Sequence, residues 1–142
     1  MADRAKLLDA VNVYLLDDDE AICESLSTIL EIHGARVQTF LSISETRSAH
    51  FDQQPGILIF DVQLGDGLGH EFLSELRSRG IDTPVIFMSG RIERGEMKNL
   101  MSLSEAVLEK PVDGDDLAVK IAAIVTGMAG EATKSDKPID GC

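Results

Sequence analysis

Two kinds of hydrophobic pattern alternate along this chain, short and nearly continuous apolar runs and longer stretches with apolar residues three and four apart. Residues 11–16 form the first run and read as a strand. Residues 20–33 then place Ile22, Leu26, Ile29 and Leu30 on one helical face, with Gly34 as the stop. Residues 35–40 read as a second strand, and the capping box Ser42-x-x-Glu45 opens a short helix to about His50. Residues 57–60 are uniformly apolar, as a central strand covered on both faces requires. The loop GDGLG leads from there into a helix with Phe72, Leu73 and Leu76 inward, which Gly80 ends.

Residues 84–88 give a fourth strand, with Pro84 at its start where a missing donor is tolerated, and residues 106–109 a fifth, just before Lys110-Pro111. The segment RIERGEMKNLMSLS between them is the weakest helix. Gly95 interrupts it, and Ile92, Met97, Leu100 and Met101 keep period only loosely, so a short or mobile helix is expected. The Met97, Leu100 and Met101 cluster reads as packing, in the core or on a switch face. The last helix is capped by Asp113, carries Leu117, Ile121, Ile124 and Val125 inward, and ends near Gly127. The expected organisation is an N-terminal extension over 1–10 with a short helix RAKLLDA, a domain over 11–127, and a flexible C-terminal tail or linker over 128–142, too polar to offset its ordering entropy.

Strands alternating with helices in this way imply an α/β fold, a doubly wound (βα)5 unit in which a five-stranded parallel sheet carries helices on both faces. Such sheets bind ligands outside the carboxyl ends of their strands. Asp17, Asp18, Asp61, Ser89 and Lys110 all fall at those ends, so one crevice should gather them.

Composition narrows the chemistry. At 142 residues and 44% apolar the chain suffices for one core. It carries 25 acidic against 13 basic residues, a net charge of −12, and lacks any Lys/Arg-rich stretch with interleaved aromatics. A phosphate backbone would be repelled, which argues against direct nucleic-acid binding. Neither an apolar run of membrane-spanning length nor a secretory signal is evident, so a cytoplasmic location with no membrane partner is expected. The cysteines have no metal or redox spacing: Cys23 reads as a buried helix residue and Cys142 as a free thiol. His33, His50 and His70 read as surface residues without acid or base partners at a recognisable spacing.

Clustered carboxylates stay ionised cheaply only beside a cation, and a set of hard oxygen ligands suits Mg2+. A metal-neutralised Asp61 could attack a phosphoryl group, Lys110 could balance charge on the transferred oxygens, and Ser89 could donate a hydrogen bond to one of them.

At these positions, over roughly residues 11–127, the chain resembles the receiver domain of two-component response regulators. The resemblance implies a flavodoxin-like sheet of strand order 2-1-3-4-5. It makes Asp61 the phosphoacceptor, Ser89 the switch hydroxyl, and Lys110-Pro111 the Lys-Pro pair with a cis peptide bond. Mg2+ would be ligated by Asp18, Asp61 and the Gln63 backbone carbonyl, and by Asp17 through water. A sensor histidine kinase or phosphotransfer protein would donate the phosphoryl group, and the acyl phosphate would later hydrolyse, so the chain is a signalling phosphoacceptor and no turnover enzyme. A downstream protein, or an effector domain beyond this sequence, would read the switched face formed by the fourth and fifth strands and helices, which is also the face through which a homodimer would form.

Gln63 and Arg91 occupy positions that tune phosphate loss in that family, and Gly90 leaves the site open to a bulky donor. The loop after the acceptor, with Asp66 and Gly69, departs from the family in carrying Gly65 and Gly67, which should make it more mobile. Val107 stands where an aromatic residue usually follows the switch hydroxyl, and Leu103, Ser104 and Glu105 replace the usual small-residue pattern, so signal propagation is expected to be atypical. Two other readings are a pseudo-receiver that is never phosphorylated, kept open by Val107, and a Mg2+-dependent aspartyl phosphohydrolase of the haloacid dehalogenase type, against which Gln63 stands in place of that class's second aspartate.

Overall fold

In the computed structural model residues 6–134 are described, 128–134 through the backbone alone. In chain order the elements are β1 (Asn12–Leu16), α1 (Glu20–Ile32), β2 (Arg36–Phe40), a single 3-10 turn (Ser44–Thr46), β3 (Gly56–Asp61), the short strands β4 (Gln63–Leu64) and β5 (Gly67–Leu68), α2 (Gly69–Ser78), β6 (Val85–Ser89), α3 (Arg94–Leu103), β7 (Ala106–Glu109) and α4 (Gly114–Lys134). The long strands form one parallel sheet in the order β2-β1-β3-β6-β7, which is the expected 2-1-3-4-5 once the two short strands are set aside.

Alternation of side chains sorts the core into two layers. Val13, Leu15, Ile57, Ile59, Ile86 and Met88 face α1 and α4, where Cys23, Leu26, Leu30, Leu117 and Ile121 meet them. Tyr14, Leu16, Leu58, Phe60, Val85 and Phe87 face α2 and α3, where Phe72, Leu73, Leu76 and Leu100 pack. Each such side chain, fully removed from water, contributes about 1.5–3 kcal/mol. Among the described residues no helix is long and apolar enough to cross a membrane.

The expected helix over 42–50 is reduced to one 3-10 turn. The capping box does form, with Ser42 Oγ accepting from the Glu45 N–H and Glu45 Oε1 accepting from the Leu41 N–H. It has no apolar ledge to build on, because register places Arg36 and Gln38 beside Asn12 and Tyr14, and both are exposed on the face such a helix would cover. Phe51 fills the gap instead. It is buried at the centre of a ring cluster, edge-on to Tyr14, Phe40, Phe60 and Phe72, while Thr83 Oγ1 donates to its carbonyl.

Other expectations are corrected at element ends. α4 runs through Gly127 to Lys134, so part of the expected tail is helical, and residues 135–142, Cys142 included, lie outside the described residues. Gly95 falls in the first turn of α3, where intrahelical N–H bonds are not yet required, and leaves that helix continuous. Of the helix expected in the 1–10 extension, residues 4 and 5 lie outside the described residues and 7–10 form a turn; Leu8 is fully buried in the first core layer and its N–H donates to the His33 carbonyl. Gly34, with φ +100°, ends α1 as expected. His33 is mostly buried and pairs with Asp115 on α4 at 2.8 Å, a partner too distant in sequence for any local spacing to reveal.

Candidate functional site

Strand register brings the acidic residues together. Leu16 of β1 lies opposite Phe60 of β3, so Asp17 and Asp61, each the next residue, emerge side by side at the carboxyl edge. One strand over, Ser89 is paired with Glu109, which delivers Lys110 next to them, and the Lys110 N–H extends the ladder to the Ser89 carbonyl. The Lys110-Pro111 peptide bond is cis, as expected.

Asp17 is completely buried and Asp61 only 5% exposed, whereas Asp18 is open to solvent. Lys110 Nζ stands 2.8 Å from Asp17 Oδ2 and 3.1 Å from Asp61 Oδ2. The other oxygens face backbone amides: Asp17 Oδ1 accepts from the Asp19 N–H at 2.9 Å, and Asp61 Oδ1 from the Gln63 N–H at 3.3 Å. Asp19 in turn caps α1 through the Ile22 N–H, which fixes the start of the helix against the acidic cluster.

Burial first, and the Asp17 charge second, hold the Asp61 carboxyl above its usual pKa, against the pull of Lys110. Burial would lower Lys110, but its hydrogen bonds and charge contacts with Asp17 and Asp61 outweigh that and raise it. Cys23, whose Sγ donates to the Asp17 carbonyl at 3.3 Å, is pushed up to about 11 by burial and the Asp17 charge.

Asp17, Asp18 and Asp61 each offer a carboxylate oxygen within 4.8 Å of the others. Against three carboxylates stands one ammonium, paired with Asp17 and Asp61, so a hard divalent cation fits both the charge and the oxygen donor set.

Ser89 is buried, yet its hydroxyl is turned into its own loop, donating to the Arg91 carbonyl at 3.0 Å and accepting from the Arg91 N–H at 3.4 Å. Its backbone is at the site while its hydroxyl is engaged elsewhere. Gly90 is exposed, with open space where a Cβ would stand. Val107 is half-buried against the second core layer, beside Phe87.

The loop after Asp61, expected to be mobile, is a β4–β5 hairpin with pairs Gln63↔Leu68 and Leu64↔Gly67. Asp66, in its two-residue turn, accepts from the Ile43 and Ser44 N–H groups at 3.0 and 3.1 Å. Gly69 is visible in the sequence only as a loop glycine. A Cβ there would run into the Asp61 carbonyl oxygen, and its N–H donates to the Val62 carbonyl at 2.8 Å, so the start of α2 is pressed directly against the acidic strand end. The clue is the glycine's place just ahead of an amphipathic helix.

A family model of the response regulator receiver domain matches residues 13–122. The transcriptional regulatory protein FixJ of Azorhizobium caulinodans is 30% identical over 129 residues, covering 90% of this chain and 61% of its own length. The cell cycle response regulator CtrA of Brucella ovis is 28% identical, covering 86% of this chain and 53% of its own length. This chain therefore spans little more than half the length of these relatives. In fold it is similar to a CheY-like response regulator receiver domain protein from Methanospirillum hungatei, with a TM-score of 0.74 at 23% identity, covering 87% of this chain and 99% of that one. With the family match extending from β1 into α4 across every strand end that builds the acidic crevice, this chain belongs to the response regulator receiver domain family.

Proposed function

We propose that the chain is a phosphorylatable switch in which Asp61 accepts a phosphoryl group from a sensor histidine kinase or phosphotransfer protein. The observation that carries this is the pairing of a nearly buried carboxylate with Lys110, between Asp17 and Asp18, at the carboxyl edge of a parallel sheet. In the transfer an Asp61 carboxylate oxygen forms a bond to phosphorus as the phosphorus–nitrogen bond of a phosphohistidine breaks, its electron pair returning to the imidazole ring. Lys110 pairs with the incoming phosphoryl oxygens, and Ser89 gives up the Arg91 carbonyl to donate to one of them. Asp18, Asp61 and the Gln63 carbonyl would hold Mg2+, with Asp17 acting through water; the ion, when bound, supplies charge neutralisation for the phosphoryl oxygens. Hydrolysis of the acyl phosphate by water restores Asp61.

The switched face is that of α3, β7 and α4, where Met101, Leu103 and Val119 are exposed. A downstream protein or an attached effector would read it, and a second copy could pair through it. The pseudo-receiver reading draws on Val107, which offers no ring to follow Ser89. The hydrolase reading gains nothing from Gln63, an exposed amide unable to serve as a general acid.

The test is the intact mass of the chain after incubation with Mg2+ and acetyl phosphate, beside Asp61→Asn. A single labile phosphate on the parent alone is the expected result. Labelling that survives in Asp61→Asn, or no labelling although Mg2+ binds, overturns the assignment.

A further inference from the structure

The connection between β2 and β3 holds only one 3-10 turn, and it is fastened to the acceptor loop at one polar point. Asp66 grips two consecutive amides of that connection, one oxygen each on Ile43 and Ser44, across more than twenty residues of sequence. Apolar contact adds to the fastening: a Cβ on Gly67 would sit 2.9 Å from Ile43 Cδ1, and Ile43 and Leu64 pack on the same core layer. The hairpin that carries Asp66 has two residue pairs, so its turn begins only two residues after Gln63. Its first residue, Gln63, donates to Asp61 Oδ1 at 3.3 Å. An atom bound at that oxygen competes with Gln63 for it.

Resting on the phosphoacceptor reading above, we infer that Asp66 is a coupling residue: occupancy of Asp61 is passed through the β4–β5 hairpin to Ile43 and Ser44, so that residues 41–50 form a second responsive surface, away from α3, β7 and α4. The chain of contact runs from Asp61 Oδ1 to the Gln63 amide, along the hairpin to its turn, and from the Asp66 carboxylate to the start of the 3-10 turn. The Ile43 and Ser44 amides hold the Asp66 carboxyl below its usual pKa, so the charged, two-handed form persists at neutral pH. The connection can respond because no α-helix stiffens it, whereas a packed helix would resist the same pull. Coupling of this kind is reciprocal, so releasing the grip must change the affinity for the ion by the factor that the ion changes the grip.

The experiment is residue-resolved amide hydrogen exchange on the parent, Asp66→Asn and Asp66→Ala, each alone, with Mg2+, and with Mg2+ plus beryllofluoride as a phosphoryl mimic. Asp66 is exposed, and Asp66→Asn, which keeps one acceptor, guards against a general loss of fold. In the parent, exchange at Ile43 and Ser44 should change by about fivefold or more between the free and mimic-bound states. In Asp66→Ala that change should vanish while the response at Ser89 to Arg91 remains, and Asp66→Asn should fall between. A parent that responds at Ser89 to Arg91 and stays unchanged over 41–50 overturns the coupling and leaves the phosphoacceptor reading standing. An equal response over 41–50 in Asp66→Ala also overturns it. Absence of any response to the mimic in the parent removes the phosphoacceptor reading and the coupling with it.

Discussion

Lys110 Nζ stands nearer to Asp17 than to Asp61, the proposed phosphoacceptor, 2.8 Å from one Oδ2 and 3.1 Å from the other. The ammonium is shared, and its first partner is the carboxylate with no access to solvent.

Removing it strands two buried carboxylates. Lys110→Ala should lower stability in EDTA by about 3 kcal/mol, as loss of one partner from a buried pair does. Magnesium should recover more stability in the variant than in the parent, because the ion then neutralises what the lysine no longer does. Urea melts of both proteins with and without Mg2+ measure this, and equal recovery would mean that ion and lysine serve different groups.

Asp61 works against its own fold. Its pKa is raised in the folded chain, so the native state holds that proton more tightly than the unfolded one does. Its contribution is therefore present at low pH and lost as pH rises through the folded pKa. Asp61→Asn should melt at a higher temperature than the parent at neutral pH without metal, and the gap should close as pH falls below the ordinary carboxylate range. A constant gap across that range would show that the carboxyl charge is not its source.

Gly69 should accept no side chain. Gly69→Ala forces its Cβ against the Asp61 carbonyl oxygen, so backbone must yield at a cost of about 1–3 kcal/mol. The displaced acceptor should label more slowly with acetyl phosphate, by up to about 100-fold. Time courses by intact mass decide it, and a parent-like rate would mean the strand end tolerates the shift.

Phe51 belongs to stability alone. Phe51→Ala empties the middle of the ring cluster and should cost about 3–5 kcal/mol. Magnesium affinity measured by calorimetry should stay as in the parent, since the ring packs within the core layer on the α2 and α3 side of the sheet. A weakened affinity would tie this cluster to the site.

Period and strand ends are what the sequence makes legible. Asp17, Asp61 and Ser89 follow apolar runs directly, Lys110 follows one after Glu109, and parallel register carries such residues to one edge without further information. The connection over 41–55 misleads because Ser42 and Glu45 signal a helix start locally, and nothing local says that the start leads nowhere. The reason it stops lies in Arg36 and Gln38, polar on the face to be covered, and in Phe51, a lone aromatic amid polar neighbours. Asp66 on Ile43, Asp115 on His33 and Gly69 against Asp61 are pairings between distant segments. Propensity and spacing carry no trace of them. The hydroxyl of Ser89 illustrates a different limit, since its position is fixed by sequence but the direction in which it turns is a choice among rotamers.

The backbone of α4 runs on well past Val125. Val125 is its last described side chain against the core, while the helix continues to Lys134, making 21 residues and about 31 Å in all. The stretch past Val125 has the character of a drive shaft, with an angular setting as well as a length. Each residue added to or removed from it turns whatever the far end meets by about 100° and shifts it by about 1.5 Å. Deleting two residues there would present nearly the opposite side of a bound partner to the domain, whereas deleting seven would shorten the reach and almost restore the original bearing.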